Sequence, residues 1–406
     1  MAPSPHQFPL RGLRVINFGW VWAAPVLGHT LGDMGAEVIK VETQRRPDLI
    51  RQLPQTYNNT PNESLYSHSI FRDQLGITLD MGTAQGAALA RELVVTADVV
   101  VENFSPGTMR RYGLDYASLR PLRPDLVMIS LSAAGQWGPL SNIATYGSII
   151  ASLAGLHAHQ GYIGAGKPAR YGTSMTDPVV GMMGAFAVLA ALRHRNRTGK
   201  GQYVDLSQWE ASATLLGGPM MDFILNGRTQ APRGNRDEAM APHGCYPSRG
   251  EDRWVTIAVG SEAQWQALCR AMGQPALAGD PRFATLLGRH QHHDALDGII
   301  GAWTRGMTNM EVTRILQAAG IAAFPSLSDV ELYEDPHFKE RGDWVEVQHR
   351  LGPECIYGMP WKLSETPGGV QRAAPVMGQD NAYVFHELLG LAPDVVARLE
   401  QEKVLY

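Results

Sequence analysis

The first 130 residues of this chain alternate between apolar runs of strand length and stretches of helical length, and that alternation restricts the fold more than any other feature. RVINF at 14–18 reads as a strand, 25–34 as a helix stopped at Gly35, and AEVIKVE at 36–42 as the next strand. Helical pattern resumes over 83–96, and short apolar runs at 98–101 and 126–130 read as further strands. Strands alternating with helices in this way build an open, mostly parallel sheet covered on both faces, the α/β class. Ligands in such sheets bind beyond the carboxyl ends of the strands, so a site is expected in the loops after Phe18, Glu42, Asn103 and Leu131.

Further along, 178–195 reads as a long apolar helix closing on Arg193, His194 and Arg195, with Gly199 as its stop. Basic residues there complement the negative end of the helix dipole. A strand at 204–206 and a helix over 208–216 follow. After Pro232 the texture changes: a hairpin at 243–248 and 253–259, helices at 264–272 and 295–303, and a strand at 321–324. This predicts a large domain over 1–232, a smaller α+β domain over 233–340, and a return to the large domain over 341–406 with a final helix at 381–389. Two domains also suit a chain of 406 residues.

A net charge of -4 gives no general attraction for nucleic acid or an anionic membrane, so neither is expected as a partner. No apolar run stands out as long enough to cross a bilayer, and the opening MAPSPHQFPL lacks the basic and apolar regions of a secretory leader. Cys245, Cys269 and Cys355 lie far apart with no CxxC, as expected of reduced thiols in a cytoplasmic protein. His290, His292 and His293 read as the polar start of a helix, and His157 and His159 as loop residues, so no metal is expected.

The chain has no GxGxxG after its first strand, no GxxxxGK[ST] and no GxSxG, which argues against a dinucleotide dehydrogenase, a P-loop enzyme and an α/β-hydrolase. Asp177 stands immediately before Pro178, the arrangement of a helix N-cap. As a cap alone it is ordinary. A helix N-terminus also holds a carboxylate as the anion, the state a carboxylate nucleophile needs. The polar approach from Arg170 to Thr176 suits an open site.

Several motifs extend this reading. RGLRVI at 11–16 leads through Ala24 and Pro25 to LGDMGAEVIKVE at 31–42; ENFSPG at 102–107 is followed by Arg111 and by Gly113 and Leu114. GQWGP at 135–139, Asp177 with Gly181, RTGKGQ at 197–202 with Asp205, AGI at 319–321 and DPHF at 335–338 complete the set. In this order, over nearly the whole chain, they resemble the class III CoA-transferase family, which includes formyl-CoA and carnitine CoA-transferases and α-methylacyl-CoA racemase. The resemblance implies a large Rossmann-like domain built from both chain ends, a small domain from the middle, and two subunits threaded through each other as an interlocked homodimer. It implies a coenzyme A thioester as substrate and no prosthetic group, with Asp177 as nucleophile.

Carried over by position, Asn103, Phe104 and Arg111 lie on the CoA, with Val21, Trp22 and Ala23 beneath it. Trp22 stands where formyl-CoA transferase has a glutamine, which points to a larger or more apolar acyl group. Many members carry a lysine where this chain begins its 73–80 segment, so Arg45, Arg46 or Arg72 is expected to supply that phosphate contact. The backbone from Gly135 to Gly138, around Gln136, and the start of the helix at 178 are the candidate sources of oxyanion donors. Tyr146 stands where the racemase branch has a histidine base; a phenol is a poor base but can donate a hydrogen bond, which favours the transferase. WVWAAP at 20–25 and TYGSIIASLAGL at 145–156 resemble the branch acting on mesaconate, citramalate or benzylsuccinate, with succinyl-CoA as a common donor and intramolecular transfer in mesaconyl-CoA among its reactions. A racemase-like enzyme, a non-catalytic CoA-binding subunit of a heteromeric transferase and a thioester hydrolase are the alternatives.

Overall fold

A computed structural model describes residues 8–170, 172 and 174–406. Most of the opening segment that carried the leader expectation, and Tyr171 and Thr173 of the approach to Asp177, lie outside the described residues.

Six strands form one parallel sheet: β1 (Arg14–Asn17), β2 (Glu37–Glu42), β3 (Gln74–Thr78), β4 (Val99–Glu102), β5 (Val127–Ser130) and β6 (Tyr203–Asp205), in the order β3-β2-β1-β4-β5-β6. Val15 pairs with Val38 on one side and Val99 on the other, which fixes the register at the centre. The central strands are almost continuous runs of Val and Ile because both faces are covered. Alternate residues divide between two cores. Ile16, Ile39, Ile77, Val100 and Met128 face α3 (below), and Val15, Val38, Val99, Val127 and Ile129 face α1 and α7.

The helices of this part are α1 (Ala23–Asp33), α2 (Leu65–Ile70), α3 (Ala84–Val95), α4 (Thr108–Arg111), α5 (Tyr116–Leu119), α6 (Gly147–Leu153), α7 (Thr176–Thr198), α8 (Gln208–Ala213) and α9 (Gly217–Asn226). Thr83 caps α3, its hydroxyl accepting the Gly86 N–H at 2.9 Å. Gly199 ends α7 at φ 70°, donating to the Arg195 carbonyl at 2.7 Å.

At 23 residues and a mean hydropathy of 1.3, α7 has the length and composition of a membrane span, contrary to the sequence expectation. Half of its apolar stretch is buried against the protein. It packs on α1 through small residues: a Cβ at Gly181 would lie 2.6 Å from the Ala23 carbonyl, and one at Gly184 2.7 Å from Leu27. Helices in the core of a folded protein share that length and composition.

The chain divides into two compact units, one of 1–156, 171–228 and 337–406, the other of 157–170 and 229–336. The sequence reading set its divisions at 232 and 340 and left 157–170 in the first part. The second unit carries an antiparallel sheet of β7 (His243–Pro247), β8 (Trp254–Ala258) and β9 (Ala322–Ser326). Its core is Tyr246, Val255, Ile257, Trp265, Leu268 and Leu316. The C-terminal return holds a hairpin the sequence reading missed, β10 (Trp344–His349) and β11 (Gly352–Tyr357). The helix expected at 381–389 is a π-helical turn over Tyr383–Leu388, followed by a second helix at Pro393–Gln401. Cys245, Cys269 and Cys355 are free.

Candidate active site

In this strand order the chain reverses its direction of travel between β1 and β4, leaving a crevice beyond their carboxyl ends. The loop after β1 is locked to the loop after β4 by an amide clasp: Trp20 donates its N–H to Asn103 Oδ1 at 2.8 Å, and Asn103 Nδ2 donates to the Trp20 carbonyl at 2.8 Å. Val21 holds φ 63°, a left-handed conformation that costs a β-branched residue strain. Its N–H is fixed on Asp48 at 3.0 and 3.1 Å, and buried Lys40 joins Asp48 (3.4 Å) to the Gly19 carbonyl (2.8 Å). Lys40 and Glu42 are both buried, and Glu42 grips Arg51 through two oxygens. Asp48, which sequence reasoning missed, carries no motif.

Phe104 meets Trp20 edge to face at 6.1 Å, and the Arg46 guanidinium lies 5.0 Å from the Trp20 ring. Arg46 is exposed beside this aromatic wall; Arg45 is exposed with Nε 3.1 Å from Asp80. Arg111, on α4, is exposed and donates to Thr108 at 3.2 Å. Arg72 does not join them. It is 2% exposed and clamps Asp33 at 3.1 and 2.7 Å, with Nη1 on the Ser69 carbonyl, so the guanidinium is held inside the protein, away from a solvent-facing phosphate. That expectation is corrected: Arg72 is a buried ion-pair residue. Trp22 packs edge-on to Tyr66 at 5.9 Å and against the Val26, Ile50 and Phe71 cluster, and Ala23 is buried as the first residue of α1.

Gln136 joins the third loop to the crevice. Its N–H donates to both Asp205 oxygens at 3.0 Å and its side chain to the Phe104 carbonyl at 3.3 Å. That N–H is therefore taken by Asp205. Ala134 to Leu140 and the end of β6 enclose a cleft of about 490 Å³.

Below Phe104, buried Glu102 accepts its N–H at 2.7 Å. Burial pushes the Glu102 carboxyl up to about 7, with nearby Asp205 adding to the rise and hydrogen bonds from Ser130 and Phe104 opposing it. The folded state thus holds this proton more tightly than the unfolded chain, so its contribution is largest in acid and declines as pH rises from the ordinary carboxylate range to about 7. Glu102→Gln is expected to remove that decline and to gain stability on wild type between pH 5 and pH 8, by at most roughly 3 kcal/mol. Urea unfolding at the two pH values measures it.

Asp177 sits in the first turn of α7 and is 8% exposed. The helix begins at Thr176, so Asp177 lies inside the helix and is not the cap, as the sequence had implied. Ser174 Oγ donates to Asp177 Oδ2 at 2.6 Å, and Thr176 Oγ1 donates to the Gly147 carbonyl at 3.0 Å, tying the start of α7 to the start of α6. Gly147 lies so close that a Cβ there would stand 1.8 Å from Asp177 Oδ2. Burial pushes the Asp177 carboxyl up, with the Ser174 hydrogen bond opposing it, so the net direction is the reverse of what the helix dipole alone predicts. Desolvation raises the energy of the anion, and a less solvated carboxylate is a stronger nucleophile. Tyr146, next to Gly147, is 59% exposed.

The α1–α7 packing brings the start of α7 to the start of α1, one turn from Gly181 against Ala23. Asp177, Gly147 and Tyr146 are thereby placed on the same side of the sheet as the loop after β1. Ser174 and Gly147 are the members of this group that sequence reasoning did not single out. Both lie in stretches it had marked, but only close packing gives them a role.

Residues 10–381 match the model of CoA-transferase family III. The chain is 35% identical over its full length to the full length of a succinyl-CoA–D-citramalate CoA-transferase of Chloroflexus aurantiacus. It is 34% identical to a succinate–glutarate CoA-transferase of Agrobacterium fabrum, over 96% of this chain and 98% of that one. Among solved structures, a CAIB/BAIF family protein from Brucella suis superposes with a TM-score of 0.87 at 30% identity, covering 94% of this chain and all of the other.

Proposed function

The chain belongs to CoA-transferase family III and is a CoA-transferase, and from that premise we propose that it moves coenzyme A between dicarboxylic acids through an aspartyl-CoA thioester on Asp177. The buried Asp177 carboxylate between Ser174 and Gly147 is the observation that carries this reading. Asp177 attacks the acyl-CoA carbonyl, breaking the thioester to give an acyl–aspartyl anhydride and CoA thiolate. The thiolate attacks the aspartyl carbonyl, forming aspartyl-CoA and releasing the first acid. The incoming carboxylate attacks aspartyl-CoA, and the expelled thiolate then takes the new acyl group and frees Asp177. Two activated acyl bonds replace one another throughout, so the chemistry asks for positioning more than for driving force.

The CoA lies over Val21, Trp22 and Ala23 and along Asn103 and Phe104. Arg46, Arg45 and Arg111 face its phosphates, and Tyr146 donates a hydrogen bond to the acyl group. Succinyl-CoA as donor and a branched dicarboxylate of the citramalate or mesaconate type as acceptor suit the similarity to the Chloroflexus transferase. A homodimer is part of the proposal: Phe186 on α7 and Phe223, Ile224 and Leu225 on α9 are all more than half exposed, apolar side chains for a second copy to cover.

Incubation with succinyl-CoA followed by hydroxylamine or borohydride trapping and peptide mass spectrometry tests the route. A modified Asp177 is expected. Solvent deuterium entering the α-carbon without an adduct would overturn it in favour of racemase chemistry. Arg46→Ala is expected to raise the KM for acyl-CoA about tenfold with kcat kept, since a phosphate cation acts on substrate and transition state alike. Steady-state kinetics at two salt concentrations measures this.

A further inference from the structure

Far from Asp177 in sequence, four ionisable side chains meet in the first unit: Glu63 just before α2, His68 on α2, His349 at the end of β10 and Glu354 on β11. All are buried or nearly so, with Glu63 at 7%, His68 at 3% and His349 at 6% exposure. One ligand atom from each of Glu63, His68 and His349 lies within 4.8 Å of the others. The Nε2 atoms of both histidines and Oε1 of Glu354 are buried without a hydrogen-bond partner. Two orphaned ring nitrogens in one small volume are costly unless something occupies the space between them.

From this juxtaposition we propose that Glu63, His68 and His349 form a structural site for a divalent transition ion of the zinc type. His68 Nε2 and Glu63 Oε2 stand 3.5 Å apart, long for a hydrogen bond and close to the edge of about 3.3 Å that a tetrahedron of zinc–ligand bonds spans. On its other side His68 Nδ1 meets Glu354 Oε2 at 2.6 Å, the carboxylate–histidine arrangement that orients a ligating imidazole. Tyr57 stacks on His68 at 5.5 Å and His349 lies 4.1 Å from it, so neither ring is free to swing away. Arg51 touches Glu63 at 3.4 Å but is itself held by Glu42. The ion's two charges then balance Glu63 and Glu354.

His349 Nδ1 accepts the Leu351 N–H at 3.1 Å, which leaves the ring proton on Nε2. Coordination through Nε2 moves that proton to Nδ1 and opens the Leu351 contact. The clasp ties α2 to the β10–β11 hairpin, joining chain segments some 280 residues apart in sequence.

The test uses the full-length protein without a histidine tag, stripped with EDTA, reloaded with zinc chloride and desalted. Elemental analysis is expected to find one zinc per chain, thermal unfolding a higher midpoint in the loaded protein, and cobalt(II) in place of zinc the visible bands of a tetrahedral site. His68→Ala and the milder His349→Gln are expected to lose the metal and the gain in midpoint. Reloaded wild type that retains no zinc would overturn the proposal, as would an equivalent retained in both variants.

Discussion

Replacing Asp177 by asparagine is expected to lower CoA transfer by at least about 10⁴-fold, because an amide cannot form the anhydride on which the exchange depends. The same substitution is expected to raise thermal stability at neutral pH. Burial holds the Asp177 carboxyl above the ordinary carboxylate range, so the folded state binds its proton more tightly than the unfolded chain. Stability is lost as pH rises through that interval, and above it the ionised side chain is a standing cost. Asparagine keeps the shape and can still accept from Ser174, so the cost disappears. The gain in midpoint over wild type should therefore be present at pH 7 and vanish in acid, below the ordinary carboxylate range. Initial rates with succinyl-CoA and scanning calorimetry at the two pH values measure both effects. A variant with no activity and no pH-dependent gain would mean that Asp177 is not the strained anion described here.

The second large effect is expected at Gly147. A methyl group there would stand 1.8 Å from Asp177 Oδ2 and 2.2 Å from Ser174 Oγ, well inside contact distance. Something has to move, and the first turn of α7 is held through Thr176 to the same glycine. The carboxylate is the part that can rotate. Gly147→Ala is expected to lower kcat by about 10²-fold or more, the order of loss that a displacement near 1 Å produces in a reacting group. The CoA groove lies on the loops after β1 and β4, so KM for acyl-CoA should change much less. Ser174→Ala separates the two components: it removes the hydrogen bond at 2.6 Å without intruding, and a smaller loss, about tenfold, is expected. Steady-state kinetics of both variants, with circular dichroism to verify folding, is the measurement.

Much of this was legible before any coordinates. Strand-length segments rich in Val and Ile, punctuated by helices of turn-bounded length, leave little choice but a covered parallel sheet, and β1, β2, β4 and β5 lie within a residue or two of their expected places. Asp177 beside Pro178 marked the start of a helix, although its place within that helix was misjudged by two positions because cap and first turn share the same residue preferences. β10 and β11 were missed because their alternation is weak and each is half exposed.

Arg72 shows the limit most clearly. In sequence it is one more arginine near a phosphate-binding region, and only the fold pairs it with Asp33, 39 residues earlier, inside the protein. Gln136, Ser174, Gly147 and the Glu63–His68–His349 group share that character: each owes its role to a neighbour the chain reaches by folding. Local order is what sequence determined here, since strand period, helix length and turn chemistry depend on residues within a few positions of one another. Burial, orphaned polar atoms and displaced proton affinities arise from contacts between distant segments, so the nature of Asp177's surroundings was decided only by the packing of α7 on α1 and α6.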